Sequence, residues 1–306
     1  MKRRTFVASV VASGASLALA ESGLAQTDSG TATPVTEASE TTPQSGYAPV
    51  NDLRMYYEIH GSGGVPIVLL QGSYMSTGAM EFLLSGLATT RQVIATDFQG
   101  HGRTADVDRP LTYEQMADDV AALMEHLDIT QADVVGYSMG GATGLRLAMD
   151  RPELVRKLVA ISAHYRLDSI YPEVLAGIAE VTPEIMMGTP WYEEYYAPVA
   201  PRPEDFPVLV EKLKELDATE FDWSQEIEAI AAPTLLIYGD ADVIQPEPMV
   251  ELFRLLGGGV PGDLTGLPKA RLAILPSTTH VGIMNRADWL LPMFTEFLDE
   301  PMPEAG

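Results

Sequence analysis

The 306-residue chain contains no cysteine, which excludes disulfides, cysteine-ligated zinc, thiol nucleophiles and acylated-cysteine anchors together. Basic residues are scarce too. Nineteen Lys and Arg face 43 Asp and Glu, for a formal net charge of −24. Phosphate backbones and anionic lipid surfaces are gripped by clustered Lys and Arg, so nucleic acid and polybasic membrane binding are excluded as roles. Glycine and proline, 26 and 22 residues, are too few for a collagen-like or wholly disordered chain. What is present is 46% apolar residues in a chain long enough for one enzyme-sized domain with accessories, or two small ones.

The N-terminus reads as a targeting segment. Lys2-Arg3-Arg4 is a basic n-region and Phe6 to Ala20 an apolar stretch diluted by Gly and Ser. Ala18-Leu19-Ala20 supplies a small-residue cleavage site. That stretch falls short of the roughly 20 residues a spanning helix needs. Arg3-Arg4-Thr5-Phe6-Val7 resembles a twin-arginine export signal. The expectation is a cleaved signal over 1–20, a periplasmic or extracellular location, and no stable membrane anchor afterwards. Cleavage would remove three basic residues and no acid, deepening the negative charge. Residues 21–48 are Ser, Thr, Glu, Pro and Gly with little to bury, and are expected to form a disordered linker.

Beyond residue 53, strand-like runs alternate with helical patterns. Leu53 to Ile59 alternates apolar and polar residues. Pro66–Leu70, Gln92–Thr96, Ala132–Val135, Lys157–Ile161, Thr234–Tyr238 and Arg271–Leu275 are short apolar runs suited to buried parallel strands. Thr112 to Leu127 carries the helix period, opened by Thr112 and Gln115 as a capping box. The alternation predicts an α/β fold, a mostly parallel sheet with helices on both faces. Residues 164–230 break the rhythm with Pro, acids and aromatics, and read as a mainly helical cap; 49–163 and 231–306 form the core.

Ala132 to Gly141 reads as a strand, then Gly136-Tyr137-Ser138-Met139-Gly140, then a helix. A strand turning that sharply into a helix puts Ser138 at an exposed, strained tip, where neighbouring side chains would collide unless they are glycine. The helix start also turns free amides toward the serine. A serine hydroxyl is a weak nucleophile until a base takes its proton, and imidazole suits that work at neutral pH. Of the five histidines, His60 lies in a glycine turn, His126 on a polar helix face, His101 in a second glycine turn, and His164 after a strand. His280 follows the last strand and is preferred.

From about 49 to 300 the chain resembles the α/β-hydrolase superfamily, of the small serine-hydrolase kind that includes esterases, lactonases and cofactor-free haloperoxidases. Besides the Ser138 turn, Leu69 to Tyr74 resembles the family's oxyanion loop and Asp97 to Thr104 its Asp-x-x-Gly-x-Gly-x-Ser turn. Gly239 to Pro246 resembles its acid loop and Thr279-His280-Val281-Gly282 its histidine loop. The resemblance implies Ser138 as nucleophile, His280 as base and Asp242 as the orienting acid, with Asp240 and Asp168 as alternative acids. It implies the Ser73 and Met139 backbone amides as oxyanion donors. Gln71 stands where the family usually has His. Tyr74, His164 and Trp191 are expected near the substrate pocket.

No cofactor or metal is expected, since His280 lacks histidine neighbours at ligand spacing and Gly100-His101-Gly102 precedes no phosphate-binding helix. The expected partner is a small ester or lactone, and the acid excess should disfavour anionic substrates. The same residues also suit perhydrolysis or haloperoxidation, carbon–carbon hydrolysis or aminopeptidase action. A non-catalytic ligand-binding protein on this fold is the remaining reading. Sequence leaves the oligomeric state open.

Overall fold

The computed structural model describes residues 43–302. The expected signal (1–20) and most of the expected linker lie outside the described residues. Eight strands form one sheet: β1 (Gln44–Val50), β2 (Leu53–His60), β3 (Ile67–Leu70), β4 (Val93–Thr96), β5 (Ala132–Tyr137), β6 (Val155–Ile161), β7 (Thr234–Ala241) and β8 (Ala270–Thr279). Their order is β1-β2-β4-β3-β5-β6-β7-β8. From β4 to β8 every pairing is parallel, while β2 runs antiparallel to both β1 and β4.

β1 corrects the linker boundary, because residues 44–48 belong to the sheet. Composition had hidden it. The strand is held by backbone pairing to β2 through a two-residue turn, with Val50 opposite Leu53. Asn51 and Asp52 sit in that turn at φ 44° and 64°, the left-handed conformation a tight hairpin requires and these residue types tolerate. Ala48 and Val50 are buried, so even this polar stretch contributes apolar surface.

The central strands are buried on both faces, and their alternation divides the core in two. Val68, Leu70, Ile94, Val134, Leu158, Ala160 and Leu236 face the helices Tyr113–His126, Met139–Asp150 and Pro246–Leu255. Ile67, Leu69, Val93, Ala95, Val135, Val159 and Ile237 face the helices Glu81–Ala88 and Ala287–Asp299. The period of two along each strand is therefore what places helices on both sides. The Tyr113–His126 helix begins as expected, with the Thr112 hydroxyl accepting the Gln115 N–H at 3.1 Å. Among the described residues, no helix is long and apolar enough to cross a membrane.

Between β6 and β7 the regular elements are all helical: Pro172–Ala179, Pro183–Met187, Pro190–Glu193 and Phe206–Ala218, with short turns of 3-10 helix. Its aromatics pack largely on one another. Phe206 lies 4.7 Å from both Tyr192 and Tyr196, and Phe221 4.6 Å from Trp223, centroid to centroid.

Candidate active site

Parallel strands bring their carboxyl ends, and the loops that follow them, to one edge of the sheet, where open α/β sheets bind ligands. Ser138 follows β5 directly, Ser162 follows β6, Asp242 follows β7 and His280 follows β8. Ser138 has φ 54° and ψ −118°, a conformation that L-residues avoid, and it caps the helix Met139–Asp150. The Ser138 N–H donates to the Ile161 carbonyl at 2.8 Å, fixing the turn to β6. A Cβ on Gly136 would stand 2.2 Å from the Gly140 carbonyl oxygen, and one on Gly140 would stand 2.4 Å from that of Leu70. These obstacles are backbone atoms, which cannot swing aside. Gly140→Ala is expected to destabilise the protein by several kcal/mol (roughly 3 or more, as for other steric insertions). Thermal denaturation of the purified variant, or its loss from the soluble fraction, checks this.

Three side chains form a hydrogen-bonded line. With its proton on Nδ1, His280 donates to Asp242 Oδ1 at 2.7 Å and accepts from Ser138 Oγ at its Nε2, 3.0 Å away. The Asp242 side chain is fully buried. Its Oδ2 accepts from the Ser162 hydroxyl at 2.6 Å and the Gly239 N–H at 3.3 Å; Oδ1 also accepts the Val243 N–H at 2.7 Å. Burial alone would push this carboxyl up. The His280 imidazole and the donated hydrogen bonds outweigh burial and hold it below the usual aspartate range. Asp242 is thus a stably ionised acceptor for the imidazole. Tyr137 braces the ring from β5, with its centroid 5.4 Å from that of His280 and its hydroxyl donating to the His280 carbonyl at 3.0 Å.

The alternatives sit elsewhere. Asp168 is exposed and paired with Arg166, and Asp240 accepts the Thr278 N–H at 3.0 Å. His60 pairs with Glu58, while His101 is buried against the Gln99 carbonyl. Asp97 accepts the Thr77 and Arg103 N–H groups, each at 2.7 Å, and so secures the loops following β3 and β4.

The loop after β3 is built against the start of the Ser138 helix. The Ser73 hydroxyl lies 3.5 Å from Met139 Sδ, and Met139 is buried in the first turn. Gln71 is fully buried, its Nε2 donating to the Met75 carbonyl at 2.8 Å, so in this chain the position ties its own loop. Tyr74 has φ 63° and packs on Phe206 of the cap, 6.3 Å between centroids. His164 lies behind the surface, 3.1 Å from the Tyr113 hydroxyl and flanked by Phe221. Burial, reinforced by the nearby His280, lowers it to about 4, so it is neutral at physiological pH. Trp191 packs on Tyr195 at 5.8 Å and bridges the two apolar clusters.

Sequence reasoning missed Ser162 and Tyr137. Their signal was positional, since both lie at the carboxyl end of a parallel strand beside the Ser138 turn. A separate surface cleft of about 710 Å³, lined by Asn51, Asp108, Arg109 and Glu125 among others, shares no residue with this site.

Residues 65–207 match the family described as the alpha/beta hydrolase fold. A protein of Azorhizobium caulinodans, named as a candidate carbamate hydrolase RutD, is 30% identical over 232 residues, covering 70% of this chain and 86% of its own length. The chain belongs to the alpha/beta hydrolase family. The pimeloyl-acyl-carrier-protein methyl ester esterase of Neisseria meningitidis is 28% identical over 260 residues, covering 77% of this chain and 78% of its own. Among solved structures, the enol-lactonase from Burkholderia xenovorans superposes with a TM-score of 0.63 at 24% identity, over 83% of this hydrolase and all of that chain. That likeness speaks to the fold alone.

Proposed function

We propose that this alpha/beta hydrolase cleaves carboxylic esters or lactones through an acyl-enzyme. The observation that carries the reading is the Ser138–His280–Asp242 line, at 3.0 and 2.7 Å, with the carboxylate buried and ionised. The curated relatives support acyl transfer to water, one being named for a methyl ester and another for a carbamate.

In this mechanism Ser138 Oγ attacks the substrate carbonyl as its proton passes to His280 Nε2. Asp242 holds the ring in the accepting tautomer and stabilises the imidazolium that forms. The carbonyl oxygen, now an anion, is received by the backbone N–H groups of Met139 and Ser73. His280 then returns the proton to the departing alcohol, and Ser138 is left acylated. Water, deprotonated by His280, releases the acid and restores the serine. Gln71 takes no part in these proton transfers.

Fluorophosphonate should label the protein on Ser138, and short-chain p-nitrophenyl esters should release p-nitrophenol. Absence of both label and turnover would sink the proposal. We also propose export on the Arg3-Arg4 signal with cleavage after Ala20. N-terminal sequencing of protein recovered from outside the cytoplasm should begin at Glu21, and a mature chain beginning at Met1 would refute the cleavage.

A further inference from the structure

We propose that Ser162 is a positioning residue of the Ser138 site: its hydroxyl fixes the rotation of the Asp242 carboxylate and so keeps the other oxygen aimed at His280. The inference rests on the reading above of Ser138, His280 and Asp242 as nucleophile, base and acid.

A carboxylate turns readily about its last bond, so the donors on its two oxygens decide where it points. Oδ1 meets His280 Nδ1 and the Val243 N–H, each at 2.7 Å. Oδ2 has two donors of unequal reach. The Gly239 N–H stands 3.3 Å away, whereas the Ser162 hydroxyl stands at 2.6 Å, the length of a strong charge-assisted bond. Ser162 and the Asp242 side chain are both fully buried, so bulk water cannot take over from the hydroxyl. Removing it would leave Oδ2 with one long bond and the carboxylate free to turn away from the ring.

Ser162 is itself held firmly. Its N–H donates to the Ile237 carbonyl of β7 at 2.7 Å. Ile161, just before it, accepts the Ser138 N–H at 2.8 Å, and Ala163, just after it, accepts the Tyr238 hydroxyl from β7 at 2.9 Å. Residues 161–163 thus bind the nucleophile turn, the acid and the strand that carries the acid. They set the separation of Ser138 and Asp242 that the His280 ring has to bridge. Ser162 also has φ 51°, a left-handed conformation that an L side chain adopts at a cost and that is found most often at functional positions. Glycine would relieve this strain but would bring no hydroxyl to Asp242.

Two variants remove the hydroxyl. Ser162→Ala leaves the backbone strained, while Ser162→Gly relieves it and should fold even if the alanine variant does not. In each, kcat for p-nitrophenyl esters and the rate of fluorophosphonate labelling of Ser138 should fall about ten- to a hundredfold, the cost of misplacing a catalytic group by about 1 Å. KM should stay within about twofold. The decisive readout is a double-mutant cycle. In an Asp242→Ala background Ser162 has no carboxylate to hold, so adding Ser162→Gly should cost less than about threefold. An equal loss in both backgrounds would overturn the inference, because the serine would then act on the fold and not on the acid. Labelling and turnover at the wild-type rate in Ser162→Gly would overturn it too. Labelling needs an activated Ser138 whatever the natural substrate. A wild type that labels but cleaves no ester refutes only the ester reading, and the cycle is then read from labelling rates; a wild type that does neither overturns both.

Discussion

Ser138→Ala is expected to lower kcat/KM for ester cleavage by about four to six orders of magnitude, the range seen when a serine nucleophile is removed elsewhere. The fold should survive. The serine side chain makes one hydrogen bond, to His280, and the left-handed backbone at φ 54° is imposed by Gly136, Gly140 and the Ile161 carbonyl rather than by the hydroxyl. A small residual rate should persist, because the substitution leaves in place the Met139 and Ser73 backbone amides proposed to receive the oxyanion. Steady-state assays with p-nitrophenyl esters, alongside circular dichroism, measure both outcomes. Activity within about tenfold of the wild type would remove Ser138 from the mechanism, since a covalent route cannot tolerate the loss of its nucleophile.

Asp242→Asn should cost about four orders of magnitude in kcat, with the folded structure retained. The reason is the polarity of its neighbours. His280 Nδ1, the Ser162 hydroxyl and the N–H groups of Gly239 and Val243 all direct hydrogens at this carboxylate. An amide must turn its NH₂ toward one side. Facing His280, it donates to Nδ1 and drives the ring proton to Nε2, which can then no longer accept from Ser138. Facing Gly239, it opposes a donor with a donor inside the core, at a cost of about 1–3 kcal/mol. Fluorophosphonate labelling of Ser138 should slow in parallel with kcat. An unaffected kcat would assign the orienting role to another group.

The same carboxylate sets a pH dependence of stability. Its folded-state value lies below the ordinary aspartate range, so the ionised form stabilises the fold above that range. The contribution disappears as pH falls through the lowered folded value. The stability gap between wild type and Asp242→Asn should therefore hold at neutral pH and close only in strong acid, as read from melting temperatures across a pH series.

Much of this site was legible in the chain because its chemistry is written locally. The Gly-x-Ser-x-Gly turn needs its glycines within two residues of Ser138, and the backbone clashes at Gly136 and Gly140 show why. Asp242 and His280 each follow a strand whose apolar run marks it in sequence. Ser162 was not legible. A serine after a strand is unremarked until folding brings it to 2.6 Å from a carboxylate eighty positions away. β1 was hidden for a different reason. Its residues, Gln44 to Val50, form no continuous apolar run, and they join the sheet through backbone hydrogen bonds, which composition does not report.

The sequence by itself determined the alternating α/β pattern, the Gly-x-Ser-x-Gly turn and the order of its candidate partners, because periodicity and steric limits act over a few residues. Tertiary structure alone decided which acid meets His280. Asp168 lies in a turn after β6, Asp240 near the end of β7 and Asp242 just past it, and only the packing of β6, β7 and β8 leaves one of these aspartates buried, 2.7 Å from His280. It also decided that His164 is neutral behind Tyr113. Burial and pairing are properties of groups brought together from distant parts of the chain, and no local pattern encodes them.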